Sequence, residues 1–138
     1  MGPEYHKKLI KPPLRLFVPA WWTEYSESMR ASWMNGCGAK GWKFDIVPDT
    51  IYGLRVTDAC NIHDVMYAVG ETLEDKKVAD RVLLNNLERI IKYHTKWRWL
   101  RWLRRQRAKK YYAAVKHFGG PAYWAGKEGQ NHIQPASA

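Results

Sequence analysis

Cys60, His63, Asp64 and Tyr67 fall within one short segment and bring together a thiol, a base, a carboxylate and a phenol. On a helix, Cys60, His63 and Tyr67 share a face, because they are three and four positions apart. Asp64 leaves the same turn about 100° further round. An imidazole and a carboxylate so placed address neighbouring but different targets. The first suits proton abstraction from water, and the second suits a hard cation. Alone, a His-Asp dipeptide is more often a half-buried histidine beside a surface aspartate, so a second element has to decide.

That element follows directly. Ala79, Leu83, Leu84, Leu87, Ile90 and Ile91 form an apolar helix face, and Asp80 projects into its middle, in line with Leu84, Leu87 and Ile91. Glu74, Arg81, Asn85, Glu88 and Lys92 occupy the other side. A carboxylate aimed into a core is costly unless it is paired and hydrogen-bonded. His63 or Tyr67 on a packed antiparallel helix is the expected partner; an Arg or Lys at a helix crossing is the competing one. With Asp80 orienting one ring nitrogen of His63, the other can act as base. No serine is placed beside it, so the nucleophile is expected to be water. An ester carbonyl attacked by that water needs its developing negative charge stabilised, which a cation at Asp64 would do.

The elements that position these groups can be read in outline. Residues 1–18 read as a basic, proline-containing arm in which Pro12-Pro13 blocks regular structure. Pro19 suits the first turn of a helix whose apolar stripe is Trp22, Tyr25, Met29 and Trp33. This helix stops before Asn35-Gly36-Cys37-Gly38, and residues 42–54 read as irregular, with Pro48-Asp49 and Gly53 as turn signals. The His63 helix is predicted from Thr57 or Asp58, either of which could cap it, to Ala68, ended by Gly70. The next begins at Thr72, with Asp75 completing a short capping box. Neither glycine nor proline occurs between Gly70 and Gly119, a span too long for one helix in so small a domain. A break at His94-Thr95 and an antiparallel helix over 96–118 are therefore expected. The prediction is an all-α fold: an arm over 1–18, a helical domain over 19–119 and a turn-rich tail over 120–138.

The chain has 138 residues, 46% of them hydrophobic, which describes one globular domain rather than a disordered chain. No apolar run approaches bilayer length. A net charge of +10 predicts an anionic partner, and eight Trp with eight Tyr tilt that toward a lipid surface. Between Lys92 and Lys110 no acidic residue occurs. There Trp99, Leu100, Leu103, Ala114 and Phe118 fall on one side of a helix, and Arg98, Arg101, Arg105 and Lys116 on the other. Leu103 and Phe118 read as core. Trp97 lies off the apolar stripe, and with Arg98, Arg101 and Arg105 it predicts contact with anionic lipid. Nucleic acid is the competing partner. Cys37 and Cys60 are too few for a disulfide scaffold or a structural zinc site, and fit either one bridge or two small buried residues.

Cys60-Asn61-Ile62-His63-Asp64-Val65-Met66-Tyr67 resembles the phospholipase A2 motif Cys-x-x-His-Asp-x-x-Tyr, and Ala79-Asp80-Arg81 is similar to the family's second helix. Asn35-Gly36-Cys37-Gly38 resembles its calcium loop. Tyr111-Tyr112-Ala113-Ala114-Val115-Lys116-His117-Phe118-Gly119 is similar to a C-terminal pattern of the small helical bacterial and fungal secreted branch. The likeness spans about residues 33–119, in family order. It implies calcium-dependent hydrolysis of the sn-2 ester of glycerophospholipids by a monomer, with His63 as base, Asp80 orienting it and Tyr67 supporting the pair. It further implies Asp64, Asn35 and Gly36 as calcium ligands and a Cys37–Cys60 disulfide. Asn35 stands where the branch carries an acidic side chain, so the site loses one charge. The stretch around 47–54 is longer than usual there, and reads as a lid, an altered entrance or a tolerated loop. Disulfide and calcium favour an extracellular setting, whereas the polar start Met-Gly-Pro-Glu-Tyr-His-Lys-Lys has no signal-peptide core. A catalytically weak, membrane-disrupting member of the fold is the alternative expectation.

Overall fold

Strand alternation, not helical period, governs the N-terminal segment: Leu16 and Val18 are buried while Arg15 faces solvent. The structure, a computed structural model, describes residues 5–11, 14–34, 48–125 and 127. Strands β1 (Tyr5–Lys11) and β2 (Leu14–Pro19) pair antiparallel from Tyr5↔Pro19 to Lys11↔Leu14. The expected irregular arm is thus a hairpin. The Pro12-Pro13 step expected to block regular structure lies outside the described residues. Pro19 ends β2 instead of opening a helix.

A single turn of 3-10 helix at Trp22–Glu24 leads to α1 (Glu27–Trp33), which starts where the Ser26 side chain accepts from the Met29 amide at 3.1 Å. This later start rotates the expected stripe. Met29 is exposed, and Arg30 turns inward to donate to the Trp22 and Tyr25 carbonyls, each at 2.6 Å. Residues 50–55, expected to be irregular, form a second hairpin, β3 (Thr50–Ile51) and β4 (Leu54–Arg55). Its two-residue turn holds Tyr52 and Gly53 at φ 47° and 81°, the left-handed geometry such hairpins use. Arg104 donates to the Ile51 and Tyr52 carbonyls at 3.1 and 2.6 Å, so this stretch is clamped down, and a lid motion would have to break those bonds.

Helices α2 (Thr57–Val69), α3 (Leu73–His94) and α4 (Arg98–Phe118) complete the frame. Val56 occupies the N-cap of α2 without a side-chain bond, so neither Thr57 nor Asp58 fills that position. The Thr72–Asp75 capping box is formed, and the break falls at Thr95. The chain is mostly helical, with two small hairpins that an all-α reading omits. The segment after Gly119 was expected to be turn-rich, but it begins with a short helix, α5 (Gly120–Trp124), with Pro121 in its first turn.

Helix α4 turns a different face inward from the one its apolar residues suggest. Ala108 and Val115 are buried, Arg104 and Tyr111 lie on the same line, and Phe118 is 64% exposed. Small Ala108 allows α3 to approach, and Arg104 also donates to Thr95 Oγ1 at 2.9 Å. Hydrogen bonding to otherwise orphaned groups outweighs the hydrophobic count on this helix.

Candidate active site

The period of α2 places His63 and Tyr67 one turn apart on its inner side, and the period of α3 brings Asp80 opposite them. His63 Nε2 lies 2.8 Å from Asp80 Oδ1, and the Tyr67 hydroxyl donates to the same oxygen at 2.7 Å. Asp80 is 2% exposed and His63 8%. Burial alone pushes the Asp80 carboxyl up, but the hydrogen bond and charge of His63, followed by those of Lys76, hold it below its ordinary value. An ionised carboxylate only accepts, so His63 Nε2 carries a proton, and in the neutral ring the lone pair belongs to Nδ1. Tyr67 is pushed well above its ordinary value by burial first and by the charge and hydrogen bond of Asp80 next, which keeps it a phenol donor.

Both expected partners of Asp80, histidine with tyrosine and a cation, are present together. Lys76, one turn earlier on α3, donates to Asp80 Oδ2 at 2.8 Å. Sequence reasoning passed over it because a helical lysine is ordinarily solvated. Its position four residues before Asp80 was the available signal.

The C-terminal segments back this cluster. Tyr123 of α5 meets the Tyr67 ring edge-on at 5.0 Å, and Lys127 Nζ donates to the Tyr67 carbonyl at 2.6 Å. At Gly119 an added Cβ would stand 2.5 Å from the Val115 carbonyl and 2.7 Å from the Tyr67 hydroxyl. Gly119→Ala is therefore expected to destabilise the fold by about 1–3 kcal/mol and displace Tyr67. Thermal unfolding, with the Tyr67 ring followed by NMR, checks it.

Asp64 is half-buried beside His63, and its carboxylate fits one hard-oxygen ligand of a calcium ion. The other expected ligands, Asn35 and Gly36, lie outside the described residues, as does Cys37. Among the described residues there is no group of three His, Cys, Asp or Glu that could hold a metal ion. Cys60 is buried and is not a free thiol.

The basic, aromatic residues sit elsewhere. Trp97, the extended residue just before α4, is 64% exposed, and Trp99 and Trp102, on the side of α4 away from the core, are exposed to a similar degree. Arg98 and Arg105 are exposed beside them, Arg105 lying 3.9 Å from Glu88. Arg101 is partly withdrawn, donating to the Thr95 carbonyl at 2.7 Å. Trp99 and Trp102 join a surface at which the sequence placed Trp97 alone. From Asp80 to the α3–α4 corner is a run of about 20 Å along α3.

Comparison with protein-family models, with curated proteins and with solved structures returns no match.

Proposed function

We propose that this protein is a calcium-dependent lipid esterase of phospholipase A2 type, acting on the sn-2 ester of glycerophospholipids. The observation that carries the reading is the buried His63–Asp80–Tyr67 cluster, in which Asp80 engages one imidazole nitrogen and leaves the other as a base. His63 Nδ1 takes a proton from water as its oxygen bonds to the ester carbonyl carbon; the proton then passes to the departing glycerol oxygen as the ester bond breaks. Calcium held by Asp64, with Asn35 and Gly36, would supply electrostatic stabilisation of the carbonyl oxygen. Cys60 pairing with Cys37 would tie the loop bearing those ligands to α2.

The α3–α4 corner supports anionic membrane as the partner. Lys96 and Arg98 lie at the positive end of α4, whose first turn holds no acidic residue, and Arg105 follows two turns on. Trp97, Trp99 and Trp102 protrude there, placed to enter a headgroup layer that a convex helix corner can reach. Replacing all three by Ala is expected to weaken binding to anionic vesicles at least about tenfold while leaving stability nearly unchanged, since little packing is lost. Vesicle sedimentation checks it.

The test of the reading is fatty-acid release from mixed anionic vesicles, with calcium or chelator, beside His63→Ala. Release that requires both calcium and His63 is expected. The distance between the Trp corner and His63 favours one second reading, a membrane-binding protein without turnover. Vesicle leakage that survives His63→Ala, with no release, would establish it.

A further inference from the structure

Lys76 is 2% exposed, deeper than most lysines are ever found, and every proton of its ammonium has an acceptor. It donates to Asp80 Oδ2 at 2.8 Å, to the Val115 carbonyl at 3.1 Å and to the Lys116 carbonyl at 3.3 Å. The last two belong to the final turn of α4, at the negative end of the helix dipole, and the Val115 carbonyl also accepts from the Gly119 amide at 2.8 Å. One ammonium therefore ties the end of α4 to the carboxylate that engages His63.

The division of Asp80 between its partners is the informative feature. Oδ1 accepts from His63 and Tyr67, and Oδ2 accepts from Lys76. With both oxygens held, the carboxylate plane cannot swing, and the imidazole tautomer is set by a group that is itself fixed. Tyr67 alone would not achieve this, because it binds the same oxygen as His63. A buried ion pair is poor evidence for stability, since desolvation offsets the attraction. The position of Lys76 is better explained by orientation than by folding.

We propose that Lys76 is a positioning residue for the esterase reaction, locking Asp80 so that His63 presents Nδ1 to water. This rests on the esterase reading above. Lys76→Met is expected to lower kcat at least about tenfold with KM changed less than about twofold. In an Asp80→Asn background the same substitution should cost no further turnover, because the group it acts through is already lost. A loss of equal size in both backgrounds, or kcat within about twofold of the unaltered protein, overturns the proposal. If Lys76→Met does not fold, Lys76→Gln keeps a donor, loses the charge and is read the same way. Nitrogen-15 spectra of the His63 ring decide the link without any assay: the Nε2–H tautomer should dominate in the unaltered protein and lose population in either variant. Unchanged ring spectra overturn it. In the unaltered protein, the Lys76 ammonium should exchange slowly and show a contact to the Tyr67 ring, which lies 5.9 Å away; a fast-exchanging ammonium also overturns it. If the unaltered protein releases no fatty acid, the esterase reading fails, and these spectra alone judge the role of Lys76 in holding Asp80.

Discussion

Asp80→Asn is expected to lower ester turnover by about 10³- to 10⁴-fold while calcium affinity stays within about twofold. The two ends of the new amide are not equivalent, and Lys76 decides how it sits. The ammonium requires an acceptor, so the amide oxygen takes the place of Oδ2 and the NH₂ group turns toward His63 and Tyr67. That NH₂ donates into Nε2 and drives the ring proton onto Nδ1, the atom that has to accept one from water. The opposite orientation places two sets of donors face to face. That clash falls at the Lys76 ammonium, so the first orientation prevails and the base is lost although the volume is unchanged. Stability should also fall, by about 3 kcal/mol, since a buried ammonium loses its counter-charge. Turnover equal to that of the unaltered protein would remove Asp80 from the mechanism.

The same carboxylate predicts a pH dependence. Its folded-state value lies below the ordinary one, so its stabilising contribution is complete above the unfolded value, about pH 4. It is lost as the pH falls through the lower folded value. In Asp80→Asn, stability should therefore fall less steeply under acid than in the unaltered protein, as denaturant unfolding at several pH values would record.

The second large effect is structural. Asn86 is fully buried on α3 and makes a reciprocal pair with the Phe17 backbone: its Oδ1 accepts from the Phe17 amide at 2.7 Å and its Nδ2 donates to the Phe17 carbonyl at 2.9 Å. The side chain thus acts as one more strand partner for β2. Asn86→Ala leaves a buried donor and acceptor without partners and opens a small cavity, a loss of about 2–4 kcal/mol. Hydrogen exchange at Phe17 should accelerate before global unfolding. Protection of that amide equal to the unaltered protein would show that β2 is held without the Asn86 pair. The bond from Arg89 to the Arg15 carbonyl, at 2.8 Å, is solvent-exposed and should matter much less.

His63, Tyr67 and Asp80 were legible because a helix fixes angles locally: once α2 and α3 are recognised, the 3.6-residue period states which side chains share a face. The Thr72 cap and the break at Thr95 were legible for the same reason, since caps are settled by a few adjacent residues. The β1–β2 hairpin was missed although Leu14, Leu16 and Val18 alternate, because the proline pair was read as a breaker of the whole segment. Lys76 and Asn86 were missed because polar residues on a helix are expected in water, and only a partner from elsewhere in the chain reverses that.

The sequence by itself determined where α2 and α3 lie, how α3 is capped, and that an aspartate must be accommodated in a core. Tertiary structure alone decided which face of α4 turns inward, that Lys76 shares Asp80 with His63, and that Asn86 holds β2. These outcomes depend on groups far apart in the chain, such as Lys76 with Val115 or Asn86 with Phe17. Local hydrogen bonding and sterics set the first group, whereas matching buried donors to distant acceptors sets the second.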